Sequence, residues 1–411
     1  MANNINDIHY FESKWQSVYN FSQLHPYIYN IITGSVALLG YGILLLFPAL
    51  FLFGAWQTLA FRFDNFSMAS LGYTLFWLVV TVYAGLVSMK LSKLKFKQVD
   101  GVQLKPAMTS KMQYLLDKIA EYTSVPRVDK IVISEQISID LVKIPRYPLP
   151  FWSTNTLVIG LPLMQCLSPE YFECAVVRKL LQHSKQNAIY SKWLHQLRSI
   201  WLIYTMHFQA KSSLGYKILA YLFRLYTPLY RDLAVPIANR VELLADHDTL
   251  SIINDEDLLQ TIEKVVVTKI FMDKEYWPKI AKMQKQGLTL SLAPYSQLEE
   301  TLKTDLTNKS AKRWLDSLYE NESHRMHALP SLRTRMNNIG RCRIRIPEKT
   351  LQTAATYYLD DEYTSVISSV NQMWLQRNSR LASSIVRTNR LKSPQAVTAP
   401  IPSTYRPNML Q

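Results

Sequence analysis

Two histidine groupings stand where a metal could be considered: His247 beside Asp248, and His324 with His327 in an H-x-x-H. A helical zinc site needs two imidazoles one turn apart and a third ligand from another element. Neither grouping has that helix-separated set. The three cysteines, Cys166, Cys174 and Cys342, show no C-x-x-C spacing, which excludes a Cys-based zinc site and a closed disulfide framework and points to a reducing compartment. No G-x-S-x-G is present, and Cys174 has no evident histidine on its own face, so serine and cysteine hydrolase chemistry is disfavoured.

The elements that must position any such group are constrained by composition. With 411 residues, 48% hydrophobic and 19% charged, the chain is too apolar for global disorder and long enough for two or three packed units. Between Trp15 and Phe61, and between Asn65 and Met89, there is no charged residue. Within these gaps residues 31–53 and 68–87 are each long enough to cross a hydrocarbon core of about 30 Å, and both read as transmembrane helices. A signal peptide is disfavoured, because the apolar run starts late, lacks a basic leader and has no small-residue cleavage site before the second run. The second span is followed by Lys90, Lys93, Lys95 and Lys97, which predicts cytoplasmic termini and a cytoplasmic main domain by the positive-inside rule.

The net charge of +15 favours an anionic partner. Lysines facing lipid headgroups account for part of it. Further arginines lie at 333, 335, 341, 343 and 345, and beyond Tyr363 at 377, 380, 387, 390 and 406. No zinc-finger, RRM-like or KH-like spacing accompanies them, so nucleic acid is disfavoured.

Past the hairpin, helical spacing covers 106–123, and β-rich runs follow at Val128–Ser134, Ile137–Ile144 and Thr156–Gly160. Ser168-Pro169-Glu170 marks a helix start, with a helix expected to about Tyr190. The stretch 192–225 is helical but interrupted by Arg198, Lys211, Lys217 and Arg224, which argues against a third ordinary span. Helices are expected at 239–253, 257–271, 298–307, 311–319 and 360–376, and residues 383–411 read as a disordered tail.

The order of these elements resembles the HtpX-like and CAAX-prenyl-protease family of membrane zinc metallopeptidases. The resemblance is carried by residues 155–177, by Arg240-Val-Glu-Leu-Leu-Ala-Asp246, which is similar to the family's E-x-x-A-D segment, and by Pro330-Ser-Leu-Arg-Thr-Arg-Met336 near its late H-P-x-L-x-x-R element. It covers most of residues 100–380. The family's chemistry needs H-E-x-x-H on a helix, a zinc ion, and a carboxylate ligand from a later helix. Here the aligned pentapeptide is Lys179-Leu180-Leu181-Gln182-His183, so the first ligand and the general base are missing, and Leu329 stands where the late histidine would be. The resemblance implies that His183 is the second metal histidine, Glu242 the carboxylate ligand and Asp246 the acid that orients an imidazole.

An ammonium offers no lone pair and repels a dication, which makes Lys179 an anti-ligand. Two retained acids without a metal would be uncompensated buried anions, so an ion-pair cluster of Lys179 with Glu242, Asp246 or both is expected; Lys179 reaching solvent is the alternative. The expected protein is mainly α with a small β-sheet (α+β), a zincin-like domain behind a membrane hairpin. Its divisions are an N-terminal segment (1–30), the hairpin (31–89), an HtpX-like peptidase-type domain (90–380) and a basic disordered tail (381–411). The resemblance suggests a bacterial inner-membrane pseudoprotease without a zinc cofactor or catalytic residues. Its partners would be the bilayer and an extended polypeptide, taken along a strand edge at Thr156–Gly160, or an active protease relative. A zinc endopeptidase with a rearranged site, or a membrane scaffold using the basic tail, are the alternatives.

Overall fold

The computed structural model describes residues 17–60, 68–104, 110–146, 152–184, 188–285, 293–320, 330–340 and 352–392. In chain order the elements are α1 (Pro26–Leu59), α2 (Met68–Ser92), β1 (Val102–Gln103), α3 (Ser110–Tyr122), β2 (Lys130–Ser134), β3 (Ile139–Pro145) and β4 (Ser153–Gly160). Then come α4 (Leu161–Cys166), α5 (Pro169–Leu181), α6 (Ile189–Gln209), α7 (Leu214–Leu233), α8 (Val235–Leu250) and α9 (Asp255–Phe271). The remainder is α10 (Trp277–Lys285), α11 (Pro294–Thr304), α12 (Asn308–Glu320), α13 (Leu332–Ile339), α14 (Ala354–Leu359) and α15 (Tyr363–Lys392). The protein is thus mainly helical with one small mixed sheet, in agreement with the expected α+β class at that level.

The elements gather into two compact units, each made of separated pieces of chain. The first unites residues 1–98, 143–154 and 188–239. Residues 188–239, expected within one domain running from 90 to 380, therefore belong with the hairpin. Helices α1 and α2 are long and apolar enough to cross a membrane. Aromatic side chains fill the space between α6 and α7: Trp201, Tyr204, Phe208, Phe223 and Tyr230 are all fully buried. Gly40 of α1 admits this cluster closely, since a Cβ there would lie 2.7 Å from the Tyr226 hydroxyl and 2.8 Å from the Trp201 ring.

The second unit holds residues 99–142, 155–187 and 240–411. Its sheet has the order β1-β2-β4-β3. Strands β2 and β4 are parallel, with Lys130 opposite Thr156 and Ser134 opposite Gly160, and β1 is antiparallel to β2. Bonds from Gly160 N to Ser138 O and from Arg146 N to Trp152 O close β3 against β4 as a hairpin. Strand β4 is therefore interior, and the expected free edge at Thr156–Gly160 is corrected. Its last five residues are buried without alternation, the pattern of a strand with neighbours on both sides and cover on both faces. The strand at that edge of the sheet is β3.

Helix α5 starts as the sequence predicts, with Pro169 at its first position and the Ser168 hydroxyl accepting from Tyr171 N. It does not run to Tyr190. The helix stops at Leu181, and α6 begins at Ile189 after Ala188, which takes a left-handed φ of 51°. At the other end of the chain, helix α15 continues to Lys392, so residues 381–392 are helical rather than part of a disordered tail. No Gly or Pro interrupts the chain between Tyr363 and Lys392. Residues 393–411 lie outside the described residues.

Candidate functional site

Three helices of the second unit, α5, α8 and α13, meet around two acids. Glu242 and Asp246 stand one turn apart on α8, and Arg178 and Gln182 stand one turn apart at the end of α5, so each pair shares a helix face. Arg178 reaches both acids, with Nη2 donating to Glu242 Oε2 at 2.5 Å and Nε donating to Asp246 Oδ1 at 2.5 Å. Gln182 Nε2 donates to the other Glu242 oxygen, Oε1, at 2.7 Å.

Helix α13 completes the arrangement. Ser331 caps its start by accepting from Thr334 N, Gly340 ends it with a φ of 81°, and the buried Leu332, Met336 and Ile339 hold its inner face. The Arg335 fork lies on Asp246, with Nε to Oδ2 at 2.8 Å and Nη2 to Oδ1 at 2.9 Å. Asn338, one turn on, donates to Leu243 O at 3.0 Å.

Two guanidiniums and two carboxylates thus meet with no net charge. Asp246 is fully buried, and the side chains of Arg178 and Arg335 are 15% and 14% exposed. Burial by itself would raise the Asp246 pKa, but Arg335 and Arg178 outweigh it and hold the carboxyl below its ordinary range. Burial likewise works against the Arg178 charge, and the fields of Asp246 and Glu242 override it, leaving its pKa raised.

The cation on these acids is Arg178 and not the expected Lys179. Consecutive helical residues point about 100° apart, so the two cannot serve the same face. Lys179 Nζ instead bonds Asp140 Oδ1 on β3 at 2.8 Å. Leu180 is buried in the apolar core, and Leu181 is the last helical residue. His183 lies beyond the helix cap, buried, with its N–H on Leu180 O. The i, i+4 window that faces Glu242 is therefore 178–182, one residue earlier than the 179–183 alignment.

A zinc ion does not fit these residues. The two α5 positions facing Glu242 carry N–H groups that donate, and all four oxygens of Glu242 and Asp246 accept bonds from Arg178, Gln182 or Arg335. Among the described residues no group of three or more His, Cys, Asp or Glu side chains is gathered as a metal would need. His247 is exposed and Asp248 half-buried; His324, His327 and Leu329 lie outside the described residues.

Cys166 and Cys174 are buried thiols whose pKa values are pushed up to about 11 and about 12 by that burial, which disfavours the nucleophilic thiolate. Arg377, one of the arginines beyond Tyr363, pairs with the buried Glu135 carboxylate. Sequence reasoning missed Arg178, Gln182 and the role of Arg335. The signal that could have found them is the matched four-residue spacing of 178/182 and 242/246. Compared with protein-family models, curated proteins and solved structures, the chain matches none.

Proposed function

We propose that the protein is a membrane-anchored pseudoprotease related to the HtpX-like metallopeptidases, in which a buried ion network stands where an active relative would carry its metal. The observation that carries this reading is the Arg178–Glu242–Asp246–Arg335 cluster, closed by Gln182. In an active member the helix positions facing the later acid would be the two histidines. Here they are Arg178 and Gln182, and Lys179 follows Arg178 where the catalytic glutamate would follow the first histidine. The two guanidiniums supply the positive charge that the acids require.

The anchor is the α1–α2 hairpin, with the lysines after α2 at the cytoplasmic face of a bacterial inner membrane. The remaining function is binding: an extended polypeptide adding to the edge of the sheet at β3, or regulation of an active relative by competition for its substrates. The Lys179–Asp140 bond ties β3 to α5 and keeps that edge in place.

Elemental analysis of full-length protein never exposed to chelator tests the reading. Substoichiometric zinc in the natural protein, and about one zinc per chain in an Arg178→His, Lys179→Glu, Gln182→His variant, are the expected results. Tightly bound zinc in the natural protein together with chelator-sensitive proteolysis would overturn it.

A further inference from the structure

The second unit contains a cavity of about 70 Å³ lined by side chains of α4, α9, α11 and α12. Part of its wall is polar. Gln165 and Cys166 end α4, and Lys264 and Thr268 stand one turn apart on one face of α9. The two helices meet at the thiol: the Thr268 hydroxyl is hydrogen-bonded to the Cys166 sulfur, and the Lys264 charge acts on it. All four side chains are buried, Gln165 at 2% exposure and Thr268 at 1%. Val267, Leu302, Leu306 and Ala311 give the cavity an aliphatic side.

Hydrogen bonds fix which way the Gln165 amide is turned. Its Nε2 donates to Tyr295 O at 2.8 Å and to Tyr363 Oη at 3.1 Å, which uses both N–H groups. Tyr363 Oη donates in turn to Glu299 Oε2 at 2.9 Å, and Lys303 Nζ donates to Glu299 Oε1 at 2.9 Å. The remaining amide atom, Gln165 Oε1, is buried and has no partner among the described residues. A buried acceptor without a donor is costly, and the cavity that Gln165 lines is where a donor can enter.

Charge and size narrow the guest. The charged side chains lining the cavity are Lys264, Lys303 and Glu299. Both Glu299 oxygens already accept bonds, so the balance favours an anion. An ammonium has three N–H groups, and Lys264 can serve a guest in addition to a protein partner. One water needs about 10–15 Å³ of such space, so the cavity takes about five to seven non-hydrogen atoms. Ordered water needs about 2–4 polar partners, which the aliphatic side does not offer. A wall that is part apolar and part polar suits a small amphipathic molecule.

We propose that this cavity binds a short aliphatic hydroxycarboxylate, with its carboxylate on the Lys264 ammonium, its hydroxyl donating to Gln165 Oε1, and its alkyl carbons among Val267, Leu302 and Leu306. The carboxylate answers the buried cation, the hydroxyl answers the orphaned acceptor, and the alkyl group removes water from the aliphatic side. Occupancy joins α4 to α9 and α11, and α4 leads through Leu167 into α5, the helix that carries Arg178. The proposal does not depend on the pseudoprotease reading, because zinc content tests that reading and ligand binding tests this one.

The test is isothermal titration calorimetry on the full chain in detergent, with 2-hydroxybutyrate, butyrate, 2-aminobutyrate and phosphate as probes. Saturable binding of 2-hydroxybutyrate is expected. Butyrate, which lacks the hydroxyl, should bind about tenfold more weakly, and the zwitterionic 2-aminobutyrate and the wholly polar phosphate should also bind more weakly. Lys264→Met should weaken 2-hydroxybutyrate by at least about tenfold. Leu306→Trp, which fills the half-buried rim, should abolish binding while the unliganded protein keeps its natural unfolding midpoint. Equal affinity for butyrate removes the Gln165 contact and with it the hydroxy-acid class. Tighter binding of 2-aminobutyrate or phosphate overturns the proposal in favour of a zwitterion or an inorganic anion. Unchanged binding in Leu306→Trp places the ligand elsewhere, and no saturation by any probe at millimolar concentration leaves the cavity to water; either result overturns the site. If Lys264→Met fails to fold, the probe series on the natural protein and the Leu306→Trp variant still decide.

Discussion

Arg178 Nε and Asp246 Oδ1 lie 2.5 Å apart, joining the last turn of α5 to α8, and the same guanidinium reaches Glu242 through Nη2. One side chain thereby bridges two acids that the fold keeps out of water, and Arg335 on Asp246 completes the charge balance. Arg178→Met should strand both partially compensated carboxylates and cost about 3–5 kcal/mol, read as a lowered denaturation midpoint in detergent. Adding Glu242→Gln and Asp246→Asn should recover much of that loss. Recovery would be absent if the arginine acted only through its packing.

The neighbouring lysine is expected to behave differently. The Lys179–Asp140 pair is isolated and partly exposed, with side chains 14% and 24% accessible. Lys179→Gln should cost about 1 kcal/mol or less. A loss as large as that of Arg178→Met would return Lys179 to the centre of the ion network.

Acid should loosen the cluster. The Asp246 carboxyl is held below its ordinary value near 3.8 in the folded chain. Its stabilising contribution is therefore fully present above its unfolded pKa of about 3.9 and is lost as pH falls through the folded value. Asp246→Asn should be less stable at neutral pH, and its stability should fall less steeply below about pH 4. Denaturation midpoints measured from pH 7 downward would decide; parallel acid limbs for the two proteins would contradict the assignment.

Backbone crowding at the end of β4 makes a sharp prediction. A Cβ at Gly160 would sit 1.7 Å from Gln136 O, and that atom belongs to the main chain and has no side-chain freedom with which to retreat. Gly160→Ala should disrupt the junction of β4 and α4 and lower the yield of folded protein, monitored by protease resistance. Natural resistance in the variant would mean that the 136–138 turn moves easily.

Thiol chemistry offers an independent check on the core of the second unit. Cys166 and Cys174 are buried with pKa values pushed up to about 11 and about 12. Both should resist maleimide at neutral pH until the protein is unfolded, as measured by peptide mass spectrometry. Rapid modification of either in the folded protein would show that the α4–α5 region opens.

Local chemistry made much of this protein legible before any coordinates. Charge-free runs marked α1 and α2, because a long apolar helix needs no information beyond its own residues. Ser168 and Pro169 marked the start of α5, because a cap acts on the next three residues. The small β-rich segment was visible between helical stretches for the same reason. The chain contains no H-E-x-x-H, and that too is settled by its letters alone.

Tertiary structure decided what these elements face. Helix α5 stops at Leu181, which turns 178 and 182 toward Glu242 and leaves His183 beyond the cap; rotation and length of a helix are set by its packing, and an alignment can slide by one residue without violating any local pattern. Strand β4 became interior because β2 and β3 flank it, a pairing between segments that no alternation within β4 reveals. Arg335 and Asp246, 89 residues apart in sequence, found each other only through the docking of α13 on α8. Residue type, capping and hydrophobic length are properties of short stretches, whereas the partner of a buried charge depends on which distant segment the folded chain brings beside it.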